Sequence, residues 1–304
     1  MRILLAIDGS VQSESAVGEI ARRRFPADSE VRVIAVVEPA YLGKGMDTGF
    51  YSVEAENAAR EQARAVVEKA AAKLRADEGS RQFNITTEVI SGSPKGVILQ
   101  DAEAFSADLI VVGSHGHGML DRFLLGSVSQ AVALHAKCSV EIVRSPKSGP
   151  EAMRILIATD GSEQSESAVD EIAPHFPADT EVRVISVVEP PNLGEGVDMN
   201  FYVEIDKTAR ERARAAVEKA AAKLRADEEN RQLKITTEVI SGSPKGVILE
   251  DAEAFGADLI VVGSHGRGML DRFLLGSVSQ AVALHAKCSV EIVRSPKRQA
   301  SESK

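Results

Sequence analysis

Cysteine is almost absent. The 304 residues hold two, Cys138 and Cys288, at equivalent places in the two halves of the chain. Equivalent positions in separate domains seldom meet, so a reduced thiol buried in each core is expected and a disulfide framework is not. There is no Cys-x-x-Cys and no spacing of metal ligands. Positive charge is in deficit too, with 36 Lys and Arg against 45 Asp and Glu, a net charge of −9. Because the two signs alternate along the chain, the basic patch that a nucleic-acid surface needs is missing. No apolar run approaches the ~18 residues of a membrane span. A strand beginning after the second residue leaves no signal peptide at this N-terminus, and the expected setting is cytoplasmic.

Two phosphate-handling motifs are missing as well. No Gly-Lys-Ser/Thr sets a lysine against β- and γ-phosphates. The string His115-Gly116-His117 is one residue short of the His-x-Gly-His of nucleotidyl transferases.

What the chain does have is a repeat. Arg2-Ile3-Leu4-Leu5-Ala6-Ile7-Asp8-Gly9-Ser10 returns as Arg154-Ile155-Leu156-Ile157-Ala158-Thr159-Asp160-Gly161-Ser162. Phe25 then answers Phe176, and Glu61 answers Glu211, so two single-residue deletions separate the halves. Each half is about 150 residues, enough for an ordinary core. The boundaries read as domain 1 over 1–146, a linker over 147–152 in a stretch with Pro146, Gly149 and Pro150, domain 2 over 153–297, and a polar, disordered tail over 298–304.

Within each half the apolar pattern predicts strands at 2–7, 31–37, 85–90, 109–112 and 139–143. The intervening helices fall at 13–24, 53–78, 94–105 and 127–135. Such alternation specifies a doubly wound parallel sheet of five strands with helices on both faces. Thr86, Glu88 and Ile90 alternate against Thr87 and Val89, as a half-exposed edge strand would. Ser93-Pro94 reads as a cap followed by proline at the first helical position. The halves diverge most over 40–51 and 191–202.

The most informative stretch is 113–129, GSHGHGMLDRFLLGSVS, which follows the buried-strand run Leu109-Ile110-Val111-Val112 and recurs at 263–279 with His117 replaced by Arg267. Gly113, Gly116 and Gly126 can take positive φ, approach a bulky ligand closely and aim several N–H groups into one concavity. Ser127 is expected at the helix N-cap, where unpaired N–H groups favour phosphate. In an open parallel sheet ligands bind beyond the carboxyl ends of the strands where the order reverses. If strands one and four are neighbours there, Asp8 or Asp160 and the glycine loop share one crevice suited to a nucleotide.

This arrangement resembles the universal stress protein family in a tandem two-domain form, over nearly the whole chain. Its most specific element is glycine, two residues, glycine, nine residues, glycine, then serine or threonine. Gly113, Gly116, Gly126 and Ser127 meet it, and so do Gly263, Gly266, Gly276 and Ser277. The resemblance implies the strand order 3-2-1-4-5 and two sites for ATP, or for ADP or AMP, with Mg2+ arriving through the phosphates. By the same resemblance Asp8 and Asp160 contact the adenosine, backbone groups of Val36 and Val187 meet the adenine edge, and the glycines with Ser127 or Ser277 hold ribose and phosphates. Ala6, Ile7, Val112 and Val128 flank the first site. Ala158, Thr159, Val262 and Val278 flank the second. His115 and His265 are candidate phosphate contacts. Arg267, always charged, would hold a triphosphate more firmly than His117.

No acid–base pair stands beside the expected γ-phosphate, so no catalytic residue is assigned. The expectation is a nucleotide-binding stress or signalling protein with slow or no hydrolysis. A Mg-dependent ATPase or phosphotransferase and a ligand-free dimerisation module stay open as alternatives. The last strands, 139–143 and 289–293, offer edges that could join the two halves, and a homodimer is left open.

Overall fold

The structure, a computed structural model, describes residues 1–39, 41–42, 50–51, 53–77, 83–116, 125–144, 152–177, 179–191, 199–226, 233–266 and 275–294. The expected linker and tail lie almost wholly outside these. So do His117 and Arg267, and also Asp121-Arg122 and Asp271-Arg272, which the sequence suggests as helical ion pairs or interface contacts.

The first half runs β1 (Arg2–Ala6), α1 (Val11–Arg22), β2 (Glu30–Val37), a short antiparallel pair β3 (Tyr41–Leu42) and β4 (Phe50–Tyr51), α2 (Val53–Ala76), β5 (Asn84–Ser91), α3 (Pro94–Phe105), β6 (Leu109–Gly113), α4 (Ser127–His135) and β7 (Ser139–Val143). The second half runs β8 (Arg154–Ala158), α5 (Glu163–Ile172), β9 (Glu181–Val188), α6 (Met199–Ala226), β10 (Lys234–Ser241), α7 (Pro244–Phe255), β11 (Leu259–Gly263), α8 (Ser277–His285) and β12 (Ser289–Val293). A 3-10 turn, Ala173–His175, follows α5.

Where the halves diverge in sequence they diverge in shape. Gly49 and Ser52 flank β4, whereas Asn200 stands inside α6, which begins four residues ahead of Val203, the counterpart of Val53. Glycine costs a helix about 1 kcal/mol against alanine, and asparagine costs less.

One sheet of ten strands runs through the chain in the order β10-β9-β8-β11-β12-β7-β6-β1-β2-β5. Each half contributes its strands as 3-2-1-4-5, all parallel, and β5 and β10 are the outer edges. The halves meet where β7 and β12 pair antiparallel, with Glu141 opposite Glu291. Strand β7 is buried along its whole length because it has a neighbour on either side.

On one face a single core crosses the seam, running from Leu4, Ile110 and Ile142 to Ile292, Ile260 and Leu156, under α3, α4, α7 and α8. On the other face each half keeps its own core, Ile3, Leu5 and Val111 under α1 and α2, and Ile155, Ile157 and Val261 under α5 and α6. Ile3, Leu4 and Leu5 are fully buried, each worth about 1.5–3 kcal/mol. Neither Cys138 nor Cys288 is in a disulfide, both are half-buried, and burial pushes the Cys138 thiol up to about 12.

The seam is also tied by side chains related by an approximate twofold. Arg144 donates to the carbonyls of Ala283 and Cys288, and Arg294 donates to those of Ala133 and Cys138. Each arginine therefore serves one carbonyl in the last turn of a helix in the other half and one in the turn that follows it. The sequence suggests His135 and His285, the last residues of α4 and α8, for that duty. The structure gives it to the arginines, whose forked donors reach two carbonyls at once.

Candidate functional site

Strands β1 and β6 are neighbours, so the loop after each opens at the same carboxyl edge, beside the reversal in strand order. The first of these loops is Asp8-Gly9-Ser10. Ser10 N donates to Asp8 Oδ1 at 2.9 Å, and Ser10 Oγ caps α1 by accepting from Ser13 N. Gly9 takes φ 85°, the left-handed conformation that lets the strand turn directly into the helix. In the second half Ser162 N donates to Asp160 Oδ1 at 3.0 Å and Gly161 has φ 70°.

The glycine loop is stitched to this turn. Ser10 Oγ donates to His115 O, Gly126 N to Ser114 O at 2.8 Å, and Ser129 Oγ to Gly113 O at 2.6 Å. A methyl group at Gly116 would stand 2.5 Å from Asp8 Oδ2, and one at Gly266 2.8 Å from Asp160 Oδ2. Carboxylate and loop thus approach so closely that only glycine fits at Gly116 and Gly266. Asp8, Gly116 and Ser127 are exposed along this rim, with Val128 and Val36 half-buried, while Ala6, Ile7, Val112 and Gly126 are buried beneath it. In the second half Gly266 and Ser277 are exposed, Ala158, Asp160, Val187 and Val278 half-buried, and Thr159, Val262 and Gly276 buried.

Two expectations need correction. Positive φ falls at Gly9 and Gly161, and none of Gly113, Gly116 and Gly126 adopts it. Those three are glycine because of space. A methyl at Gly113 would lie 3.0 Å from the backbone of Gln12 and Ser13, and one at Gly126 would lie 3.0 Å from Ser114 O. Secondly, the N-cap of α4 is Gly126, in extended conformation, and Ser127 is the first helical residue; Gly276 and Ser277 repeat this. The cap moves by one because the N–H of Gly126 is held by Ser114 O, which stretches the chain up to that residue. Ser93 is the N-cap of α3 and Pro94 its first residue, as the sequence suggests, although the Ser93 side chain makes no capping bond.

The two copies of the first loop glycine differ in tightness. At Gly263 the nearest contacts of an added methyl are 3.4 Å away, ordinary van der Waals distance. Gly113→Ala should therefore cost about 1–2 kcal/mol by pushing on the first turn of α1, and Gly263→Ala within ~0.5 kcal/mol of nothing. Denaturant titration of the two variants checks this, and equal costs would contradict it.

His115 is buried. Its Nδ1 lies 2.9 Å from Ser114 Oγ, and its Nε2 has no hydrogen-bond partner; Ser264 and His265 repeat the arrangement at 3.0 Å. Burial, with Arg144 adding to it, holds the His115 imidazole below its ordinary range. His175, for which the sequence suggests no partner, packs on the Phe25 ring across the seam at 5.0 Å between centroids, and its carbonyl accepts from Arg24 N.

Two doubly wound domains, each with an aspartate and a glycine turn facing one another at the switch point, define a tandem doubly wound α/β protein. The sequence model of the universal stress protein family matches residues 1–144 and again 151–294, and the chain belongs to that family. A universal stress protein of Mycolicibacterium smegmatis is 30% identical over 297 residues, covering 96% of each chain. The crystal structure of a universal stress protein from Archaeoglobus fulgidus covers 97% of both chains with TM-score 0.62 at 20% identity, a likeness of fold. A universal stress protein solved in complex with cAMP covers 47% of this chain and 98% of its own at 25% identity, TM-score 0.36. Among the described residues no helix is long and apolar enough to cross a membrane.

Proposed function

We propose that each half binds an adenine nucleotide, ATP or a close relative, at the carboxyl ends of its first and fourth strands, and that the protein serves stress response or signalling with slow or no hydrolysis. The observation that carries this reading is the close approach of the Asp8 carboxylate to Gly116 at one exposed rim, repeated at Asp160 and Gly266, where even a methyl could not stand between them. A carboxylate there accepts from ribose or base donors. The exposed start of α4, with the N–H groups of its first turn unpaired by the helix, favours the phosphates. Mg2+ would enter on the phosphates.

Calorimetric titration of the full chain with ATP, ADP, AMP and cyclic AMP tests this. Two sites are expected. Asp8→Asn and Asp160→Asn should each weaken one site about 10–100-fold, the worth of a hydrogen bond to a charged group. No heat with any of the four nucleotides would remove the proposal. Sustained turnover well above ~1 s⁻¹ would favour an ATPase instead.

A further inference from the structure

The chemistry concentrated at the seam is separate from the nucleotide rim and independent of it. Glu141 and Glu291 face each other across the antiparallel pair, and Arg23 Nη1 lies 2.8 Å from an oxygen of each. The three side chains are 1%, 2% and 1% exposed. The approximate twofold calls for a second arginine, but there Pro174-His175 replaces Arg22-Arg23-Arg24. One cation therefore serves two carboxyl groups. Two more approach from the helices on this face. Glu19 of α1 is buried, 3.9 Å from Arg22, and Glu171 of α5 accepts from Ser139 Oγ at 2.7 Å. Glu19 Oε1 and Glu141 Oε1 are buried with no hydrogen-bond partner.

We propose that this seam is a proton-binding joint: four carboxyl groups crowd one buried guanidinium, so that the joined halves hold protons that parted halves release. Like charges this close, and this dry, stay ionised only at high cost. Arg23 cannot be the group that yields. Burial alone would lower it, but Glu291 and Glu141 beside it more than reverse that and hold it above its ordinary value. His175 supplies no second cation, because burial, helped by Arg23, pushes it down to about 3. Arg22 reaches only Glu19, while Asp108 and Asp258 at the feet of the neighbouring strands add negative charge.

Burial accordingly pushes Glu141 up to about 8, against the pull of Arg23, and Glu171 up to about 7, against the bond from Ser139. Glu19 is raised as well, by burial that Arg22 and Arg23 only partly offset. For a carboxyl whose value is higher folded than unfolded, the stabilisation is complete below the ordinary value near 4.5 and disappears as pH rises through the folded value. The joint therefore tightens toward pH 5 and loosens between about pH 5 and 9.

The test uses the full chain at pH 6 and pH 9, as wild type, Glu141→Gln and Glu171→Gln. The melting temperature of the wild type should fall between the two values, and the fall should be at least halved when both substitutions are combined. Infrared spectra of the wild type at pH 6 should show a protonated-carboxyl band that weakens in Glu141→Gln and disappears by pH 9. Parallel melting curves for all variants, or no such band, would overturn the proposal. The band also decides the matter should a variant fail to fold. Failure to bind nucleotide would leave this inference untouched.

Discussion

Arg23→Met should lower the stability of the full chain by about 3–5 kcal/mol at pH 8, the cost of leaving buried carboxylates without their cation. Its guanidinium touches both Glu141 and Glu291 and stacks 5.1 Å over the Phe25 ring, so one substitution strips charge balance and packing from the middle of the ten-stranded sheet. The loss should shrink at pH 5, where the carboxyl groups accept protons in its place. Adding Glu141→Met and Glu291→Leu to the same chain should restore most of the stability, because well-packed apolar side chains commonly match a buried ion cluster. Denaturant unfolding of the single and triple variants at both pH values checks this. A single variant costing under ~1 kcal/mol would mean that the seam does not depend on this cation.

The second large effect is expected at the rim. Gly116→Ala puts a methyl 2.5 Å from Asp8 Oδ2, a separation that atoms do not tolerate, so the carboxylate or the loop must move. Asp8 is already fixed through Oδ1 by Ser10 N, and Gly116 takes no positive φ, so backbone strain adds little and the damage falls on the shape of the rim. Nucleotide affinity of the first half should drop about 10–100-fold, in line with one lost charge-assisted hydrogen bond. The melting temperature should stay within a few degrees of wild type. Titration of Gly116→Ala beside Gly266→Ala, each leaving one intact half as internal reference, reads the effect. Unaltered stoichiometry and affinity in both would show that the rim formed by the aspartate and the glycine loop is not where the ligand goes.

Much of the fold was legible because the apolar pattern is clean and given twice. The run at 139–143 and the periodic segment at 127–135 match β7 and α4 residue for residue, and the alternation in 85–90 marks the outer edge. Adjacency of Asp8 and the glycine loop hung on whether the first and fourth strands are neighbours, an order that only the family resemblance supplied, and β1 does lie beside β6. What the pattern could not convey is why each glycine is glycine. Left-handed backbone and crowding demand the same residue, and only coordinates separate Gly9 from Gly113. The last strands were expected to be able to join the halves, as β7 and β12 do, but the charge cluster buried between them was missed for a different reason. Reading Arg22-Arg23-Arg24 against Pro174-His175 as a mere deletion hid a change of charge, and Glu141 passed as one polar letter in SVEIV. A charged residue in the middle of an otherwise apolar strand, present in both copies, was the available signal, since such a group must find a partner.

Because β7 and β12 run head to tail, the two half-sheets present their carboxyl ends in opposite directions. Two guests, one beside Asp8 and one beside Asp160, would face away from each other with the four central strands between β1 and β8, five spacings of about 4.8 Å. Any influence of one occupant on the other must then be mechanical, relayed as a tilt of one half-slab against its twin about that central hinge line.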